Sequence, residues 1–316
     1  MKTVMVHQVG FSFKDNVPSS SERKNNSFSS LVEQGRKSDL NVIFSNMEFY
    51  NRNKKQINIA WTFEDGKWSK IKNKKFDMIF YRGRNVNGLK FGKYINRLKY
   101  PMRNNYELEN LCCDKILTSI VFPRLMPKTF LINNHYDLQR CLKYIRSDKV
   151  VIKPRFGSLG RGVVIIDKKD LKNGITRDTV LQEFIDSSNG VKSLKVKGSH
   201  DLRCVIVDGK IDHSYFRLPK RNSFLGNMEY GATKKYIDND EIPKNIKEKV
   251  NFIDKKLKKF GERSYSADFL IDNDKKAWLV ELNSKPGTSF YDNALRIRNK
   301  YHFNLTKSLR NYVENL

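Results

Sequence analysis

The sequence predicts an open α/β sheet followed by a longer α+β region. Near the N-terminus, short apolar strands (Thr3–Val9, Leu40–Phe44 and Phe76–Tyr81) accompany a segment that becomes helical from Phe28. Strand–helix–strand order with short buried strands is typical of an open α/β sheet. From Asn105 onwards, helices and hairpins are mixed. That half therefore predicts two α+β lobes that face each other.

Each element of the second half follows from its periodicity and its turn residues. The apolar positions of Tyr106–Phe122 recur at helical spacing, and Pro123 ends that helix. Asp208-Gly209 is a strong hairpin signal between two strands. A basic amphipathic helix is also predicted over Asn85–Tyr100. The remaining predicted elements are the strand Thr129–Ile132, the helix Tyr136–Ser147, the strand Val180–Ile185, the hairpin strands Leu202–Val207 and Lys210–Phe216, the helix Ile242–Phe260, the strands Ser264–Ile271 and Ala277–Leu282, and the helix Phe303–Val313.

The composition favours a cytoplasmic globular protein. The chain has 316 residues, and no run approaches the roughly 18 apolar residues of a membrane span. The N-terminus lacks the long apolar stretch of a secretory signal. None of the four cysteines (Cys112, Cys113, Cys141 and Cys204) has C-x-x-C spacing. We therefore expect reduced, mostly buried thiols and no membrane partner.

The formal net charge is +27, and its cause is open at this point. An AT-rich genome would enrich Lys and Asn throughout the chain. An acidic macromolecular substrate or a nucleic acid would benefit from such a field. The charge is spread along the chain without an arginine-rich tail, so genome bias and a functional polyanionic partner both stay open. A nucleic acid is possible but not favoured as that partner.

The segment Val151–Val163 has the residue types that bind a polyphosphate. Lys153 ends an apolar run, and Gly157, Gly160 and Gly162 follow it. Glycine N–H groups approach phosphate oxygens closely because no side chain intervenes. The order matches neither G-x-x-x-x-G-K-[ST] nor G-x-G-x-x-G. A plain glycine-rich hairpin is therefore the alternative for this segment taken alone.

The segment 277–287 complements it with oxygen ligands. Glu281 and Asn283 alternate with apolar residues, so both point to one face of a strand. Hard oxygen donors at this spacing suit Mg²⁺ held against phosphates. The alternative is a solvated strand face before a Pro-Gly turn. The two segments together make ATP the leading ligand.

Taken with six further motifs, the chain resembles the ATP-grasp enzymes, in the glutathione-synthetase-like branch that includes RimK-like carboxylate–amine ligases. The resemblance runs from about Asn105 to the C-terminus. It implies a Rossmann-like pre-ATP-grasp domain (1–104) and two α+β lobes (105–185 and 186–316) that clamp ATP. The motifs, in order, are Asp114-Lys115, Val151–Val163, Leu181–Ile185, Asp201-Leu202-Arg203, Phe216–Pro219, Asn227, Ala267-Asp268-Phe269 and Val280–Asn283 with Pro286-Gly287.

The resemblance also implies residue roles. Lys115 and Lys153 are the expected phosphate-contacting lysines, with the loop glycines and Ser158 beside them. Asp201 is expected at the ribose hydroxyls and Arg203 near the γ-phosphate. The remaining implied roles are adenine binding on the hinge strand for Gln182, Glu183, Phe184 and Ile185, catalytic support for Arg217 and Asn227, and coordination of one or two Mg²⁺ ions, replaceable by Mn²⁺, for Asp268, Glu281 and Asn283.

Three features depart from the family pattern. Residues 186–200 form a longer and basic connection, with Lys192, Lys195 and Lys197, and are either a substrate-facing insertion or a disordered loop. Leu225 replaces a basic residue shortly before Asn227. Lys285 stands where small residues are usual, within reach of an acidic substrate.

The function expected from this resemblance is ATP-dependent ligation of a carboxylate to an amine through an acyl phosphate. The amine belongs to an amino acid, a peptide or a protein tail, and the substrate is acidic if the basic charge is functional. Three alternatives are open: a kinase of a polyanionic small molecule, a non-catalytic nucleic-acid-binding module, and a structural or coat-associated protein. The sequence leaves the oligomeric state open.

Overall fold

The computed structural model describes residues 1–8, 16–83, 100–157, 160–171, 177–220, 231–288 and 290–316. These residues form two compact units. The first comprises Met1–Leu108, Lys258–Ser264 and Lys285–Leu316, and the second comprises Glu109–Leu257 and Tyr265–Ser284. The C-terminal segment thus belongs to the first unit, whereas we had grouped it with residues 186–284. The division at residues 104 and 185 stays a prediction.

The first unit is built on a sheet whose centre is parallel. Strand β1 pairs in parallel with β2 and β6, and the order along the sheet is β3-β4-β2-β1-β6-β7. Its apolar residues pack into a buried cluster that includes Met5, Ile43 and Ile79. The open α/β sheet predicted for this region is therefore present. The elements are β1 (Lys2–His7), α1 (Glu22–Lys37), β2 (Leu40–Ser45), β3 (Tyr50–Asn51), β4 (Gln56–Glu64), β5 (Lys67–Lys74), β6 (Met78–Tyr81) and β7 (Met102–Arg103).

Two local features of this unit differ from the prediction. Helix α1 begins at Glu22 rather than near Phe28, because Ser21 caps it by accepting a hydrogen bond from the backbone of Lys24. The β4–β5 hairpin was not predicted. Its turn residues Asp65 and Gly66 both have positive φ (48° and 74°), as a two-residue type I′ turn requires. The predicted helix Asn85–Tyr100 lies outside the described residues, apart from Tyr100.

The second unit contains two sheets. One has four strands in the order β10-β9-β11-β8, and the other has five in the order β14-β13-β12-β15-β16. Its elements are α2 (Tyr106–Cys113, which begins in the first unit), α3 (Lys115–Val121), β8 (Thr129–Ile132), α4 (His135–Leu142), β9 (Lys149–Pro154), β10 (Val164–Asp167), β11 (Thr179–Glu183), β12 (Asp201–Val207), β13 (Lys210–Leu218), β14 (Thr233–Ile237), α5 (Lys244–Leu257), β15 (Ser264–Ile271) and β16 (Ala277–Asn283).

The single helix predicted over Tyr106–Phe122 is wrong. The chain forms α2 and α3 instead, and Asp114 separates them. The Asp114 backbone is extended, and its Oδ1 accepts hydrogen bonds from the backbone N–H groups of Ile116 (2.9 Å) and Leu117 (3.3 Å). Asp114 is therefore the N-cap of α3, which a continuous apolar periodicity had concealed.

The last helix, α6 (Leu295–Glu314), belongs to the first unit and starts eight residues before the predicted helix. It packs against α1, where His302 contacts the Ser30 hydroxyl (3.0 Å) and Thr306 contacts that of Ser38 (3.0 Å). Among the described residues, no helix is both long and apolar enough to span a bilayer.

Candidate active site

Most of the predicted binding residues line one cavity in the second unit. Its walls come from strands of both sheets of that unit, together with the start of α3. Ser158 and Asn227 lie outside the described residues. The predicted residues that line the cavity are Lys115, Lys153, Gly157, Gly160, Gln182, Glu183, Phe184, Ile185, Asp201, Arg217 and Glu281.

Two nearly buried lysines line this cavity. Lys115 and Lys153 are only 9% and 8% exposed. Burial and the charge of Lys115 lower the pKa of Lys153 to about 8, while Glu281 opposes that shift. Two lysines that repel each other in a desolvated site create a strong local preference for an anion.

Hydrogen bonds fix the positions of these ammonium groups. Lys153 Nζ donates to Gln182 Oε1 (2.8 Å), and Gln182 Nε2 donates to Thr129 Oγ1 (2.8 Å). Lys115 Nζ donates to the carbonyl of Gly157 (3.2 Å). Gln182, predicted to contact the nucleotide, thus also orients Lys153.

The glycine loop has a backbone that other residues rarely adopt. Gly157, Gly160 and Gly162 have φ values of 142°, 66° and 74°. A Cβ at Gly162 would lie 2.9 Å from the Cγ of Pro154. The loop therefore requires glycine for conformation at all three positions and for space at Gly162. Gly162 itself does not line the cavity, although Arg161 and Val163 on either side of it do.

Asp114 and Arg155 connect the two lysine-bearing segments, and sequence reasoning assigned neither a role. Arg155 follows β9 directly, and its Nε and Nη2 donate to the Asp114 carboxylate at 2.7–3.0 Å. The backbone N–H of Lys115 also donates to the carbonyl of Arg155 (3.3 Å). Asp114 therefore caps α3 and ties its first residue, Lys115, to the strand that carries Lys153.

The cavity also has an apolar lining, here called the apolar slot, which includes the two residues directly after the hinge strand β11. The Glu183 carboxylate accepts a hydrogen bond from the backbone of Arg146 (2.8 Å), so its side chain is held by the protein in this structure. An apolar slot beside backbone polar groups suits a flat heteroaromatic base. The apolar lining consists of Pro127, Val151, Val163, Ile165, Phe184, Ile185, Leu270 and Val280.

Beside the lysines, two arginines and two carboxylates form one buried network on the five-stranded sheet. Arg217 Nε donates to Asp201 Oδ1 (2.5 Å) and its Nη2 donates to Asp268 Oδ2 (2.6 Å). Arg203 donates to both oxygens of Asp268 (2.7 and 2.5 Å). Burial raises the pKa of Asp201 to about 6, although Arg217 opposes the shift. Of this network, Asp201 and Arg217 line the cavity, whereas Arg203 and Asp268 do not. Asp268 is joined to Arg217 by a hydrogen bond, and Arg203 is joined to Asp268.

The predicted metal ligands lie on neighbouring strands, and their donor types fit Mg²⁺. Asp268 pairs with Glu281 across β15 and β16, and Ser266 pairs with Asn283. The described residues contain no cluster of three or more His, Cys, Asp or Glu side chains that could hold a metal alone. The set of two carboxylates and one amide therefore fits an ion whose remaining ligands are phosphate oxygens or water. Asp268 already accepts hydrogen bonds from two arginines, and of the three predicted ligands only Glu281 is among the residues that line the cavity.

The structure also places two departures noted in the sequence. Residues 186–200 are described and anchored, since Lys235 Nζ donates to the carbonyl of Leu194 (2.5 Å) and the N–H of Asn189 donates to Asn273 Oδ1 (3.0 Å). Lys285 lies in the first unit, where its Nζ is 4.5 Å from the centre of the Tyr81 ring and donates to the carbonyl of Gly83.

This arrangement of cations, glycines and carboxylates around one cavity makes it a candidate nucleotide-binding site, and comparison with known proteins identifies the class of protein. The model of the RimK-like ATP-grasp domain matches residues 112–303. The chain therefore belongs to the RimK-like ATP-grasp family, as its motifs predicted.

Sequence relatives match part of the chain. A probable alpha-L-glutamate ligase of Parasynechococcus marenigrum is 24% identical over 188 residues, which are 55% of this chain and 36% of that protein. The chain spans about a third to a half of the length of the first curated relatives that it matches.

Solved structures match the whole chain at low identity and confirm the ATP-grasp fold. One is a RiPP-associated ATP-grasp ligase of Chryseobacterium gregarium in complex with ADP and a leader and core peptide (TM-score 0.59, 14% identity, 98% of this chain and 97% of that one). Another is the D-alanine–D-alanine ligase of Bacillus anthracis in complex with ATP (TM-score 0.60, 15% identity, all of both chains).

Proposed function

We propose that the protein is an ATP-dependent, ADP-forming ligase that joins a carboxylate to an amine, with an acidic peptide or protein as one substrate. One observation carries this proposal. Lys115, Lys153, the glycine loop and Glu281 lie at the same cavity as the apolar slot beside β11. That combination accommodates a base, a polyphosphate and a divalent cation together.

In this proposal, different residues of the cavity bind different parts of ATP. The slot beside Phe184 and Val280 receives adenine, and Asp201, whose carboxylate accepts hydrogen bonds, receives the ribose hydroxyls. Lys115 and Lys153 neutralise phosphate oxygens, and the N–H groups of the glycine loop bind more of them. The loop also shields the reaction from water.

The reaction begins when an oxygen of the substrate carboxylate attacks the γ-phosphorus in line. The bond to the β,γ-bridging oxygen breaks, which gives an acyl phosphate and ADP. The amine of the second substrate then attacks the acyl carbon, phosphate leaves, and the nitrogen loses a proton. Arg203 and Arg217 stabilise the charge on the transferring phosphoryl group, so the protein acts through position and charge.

Glu281, Asn283 and Asp268 would hold the metal. When bound, Mg²⁺ supplies charge neutralisation at the phosphate oxygens and orients them for transfer. Asn227 is proposed to assist catalysis on the basis of the family motif alone.

The acidic substrate is supported by the charge of the chain and by its relatives. A net charge of +27 favours encounter with an anionic partner. The Parasynechococcus marenigrum relative is named a probable alpha-L-glutamate ligase, and the Chryseobacterium gregarium ligase was solved with a leader and core peptide. These similarities support a carboxylate-rich peptide or protein without naming it.

A phosphate-release screen tests this function. The protein is incubated with Mg²⁺, ATP and pairs of carboxylate and amine substrates that include acidic peptides, and products are identified by mass spectrometry. Release of both ADP and phosphate together with an amide product is expected. ADP with a stable phosphorylated acceptor and no free phosphate would instead identify a kinase.

A further inference from the structure

The β4–β5 hairpin of the first unit carries a local excess of positive charge that the proposed nucleotide chemistry does not use. Between Arg52 and Lys75 there are eight basic and two acidic residues, against 61 and 34 in the whole chain. A genome-wide enrichment in lysine would raise the ratio of basic to acidic residues to a similar extent along the whole chain. It therefore does not explain the higher ratio in this segment. The basic residues are Arg52, Lys54, Lys55, Lys67, Lys70, Lys72, Lys74 and Lys75.

Three of these lysines form a row on one face of β5. In the pairing with β4, Trp61 lies opposite Lys70, Ile59 opposite Lys72 and Ile57 opposite Lys74, with one interruption at Asn73, whose φ is 55°. Alternate residues of a strand share a face and are about 7 Å apart. All three lysines are exposed, and no ion pair joins Lys72 or Lys74 to any described residue.

The outer edge of β5 is available for pairing. Within the described residues β5 pairs with β4 and with no other strand, so its second edge presents backbone N–H and C=O groups. An extended peptide that adds to such an edge obtains main-chain hydrogen bonds for affinity and side-chain contacts for specificity. Alternate side chains of the added strand would lie directly beside Lys70, Lys72 and Lys74.

The positive charge continues beyond the strand. A cavity at the base of the hairpin is lined by Lys54, Lys55 and Lys75, together with Tyr100 and Asp77. Lysines within an edge strand also prevent association between sheet edges. That purpose does not account for the three lysines outside the strand. These three lysines add positive charge beside the row, which favours an anionic ligand.

We propose that β5 binds an acidic, extended segment of the peptide or protein substrate as an added strand, with acidic residues at alternate positions opposite Lys70, Lys72 and Lys74. This inference rests on the proposed function, because it assumes a peptide or protein substrate. It places recognition of that substrate in the first unit, on residues that belong to neither the nucleotide cavity nor the metal set.

The test compares two triple variants of the full chain with equal loss of charge. One replaces the hairpin row (Lys70→Gln, Lys72→Gln and Lys74→Gln), and the other replaces the exposed lysines of the insertion (Lys192→Gln, Lys195→Gln and Lys197→Gln). The probes are a fluorescent peptide with Glu at alternate positions and a peptide of the same composition with its Glu residues contiguous. Calorimetry with ATP shows whether each variant retains its nucleotide site.

The hairpin variant should bind the alternating peptide more weakly by about threefold to about a hundredfold, the range for three cross-strand charge pairs. The insertion variant should retain most of its affinity, and wild type should prefer the alternating peptide. Equal losses in both variants, equal affinity for both peptides, absence of peptide binding, or tighter binding of a single-stranded oligonucleotide of equal charge would each overturn the proposal. Absent ATP binding by wild type would instead count against the proposed function.

Discussion

Arg203 binds both carboxylate oxygens of Asp268, at 2.7 and 2.5 Å, in the interior of the second unit. Asp268 is fully buried, and Arg217 donates to it as well. Burial alone would raise the pKa of Asp268, but the two guanidinium groups hold it below its ordinary value. The Asp268 carboxylate therefore balances the charge of both arginines, Arg203 and Arg217. We propose that these two arginines stabilise the γ-phosphate during its transfer.

Asp268→Asn should destabilise the nucleotide-free protein by about 3–5 kcal/mol, because removal of one partner leaves buried charge uncompensated. The free energy of unfolding in urea measures this change. The control is Asp274→Asn, an exposed residue in the turn between β15 and β16, which should change stability by less than about 0.5 kcal/mol. Equal stability of Asp268→Asn and wild type would show that the arginines do not depend on this carboxylate.

Lys153 should make ATP affinity depend on pH. Its pKa is about 8 in the free protein, because of burial and of Lys115, and bound phosphates would raise that pKa. Binding therefore takes up a proton above about pH 8, and the affinity is full below that pH and falls as pH rises through it. Calorimetry with ATP from about pH 7 to about pH 9.5 measures this effect.

Two matched variants distinguish an effect of Lys153 itself from an effect of the protein's overall positive charge. Lys153→Ala should weaken ATP binding at pH 7 by about 1.5–3 kcal/mol, the scale of a hydrogen bond to a charged group, and should lack the fall above pH 8. Lys149→Ala, at the half-buried start of the same strand, should leave both the affinity at pH 7 and the fall above pH 8 unchanged. An identical pH profile in Lys153→Ala would contradict the assignment.

The sequence predicted those parts of the site that depend on local chemistry. Short segments are enough to recognise a lysine at a strand end, a glycine loop, and the alternation of Glu281 and Asn283. Lys153, Gly157, Gly160 and Glu281 do line one cavity. Contacts between residues far apart in the chain cannot be recognised from short segments. Arg155 and Asp114 are 41 residues apart, and nothing in the sequence near either one indicates the partner.

The errors in the fold have a different, local cause. The apolar period of Tyr106–Phe122 continues through Asp114, so capping within it could not be recognised from periodicity. The β4–β5 hairpin was missed because its lysines interrupt the apolar alternation expected of a strand, although Asp65-Gly66 was a usable turn signal. The N-cap at Asp114 and the turn at Asp65-Gly66 are both local signals, which the periodicity of the surrounding residues outweighed.

The metal assignment predicts loss of turnover without loss of the fold. Glu281→Gln combined with Asn283→Ala should lower the rate of ADP formation by at least about a hundredfold, because two of the oxygen ligands are removed or weakened. The Mg²⁺ concentration needed for half-maximal ATP binding should rise in the same variant, which circular dichroism should show to be folded. Near wild-type turnover would refute the metal site. Asp272→Asn, in the turn before β16, is the control and should retain activity.

Asp114 should act on ATP binding through Lys115. Asp114→Ala removes the N-cap of α3 and the carboxylate that holds Arg155, so we expect a loss of about 1–2 kcal/mol in unfolding free energy. Because Lys115 is the first residue of α3, ATP affinity should fall as well, although Asp114 does not line the cavity.

Asn134→Ala is the matched control. Asn134 is the N-cap of α4, and its Oδ1 accepts a hydrogen bond from the N–H of Asp137 (2.9 Å). This variant should cost similar stability and leave ATP affinity unchanged. If both variants bound ATP equally well, Asp114 would be a structural cap alone, and the link from Arg155 to Lys115 would have no part in phosphate binding.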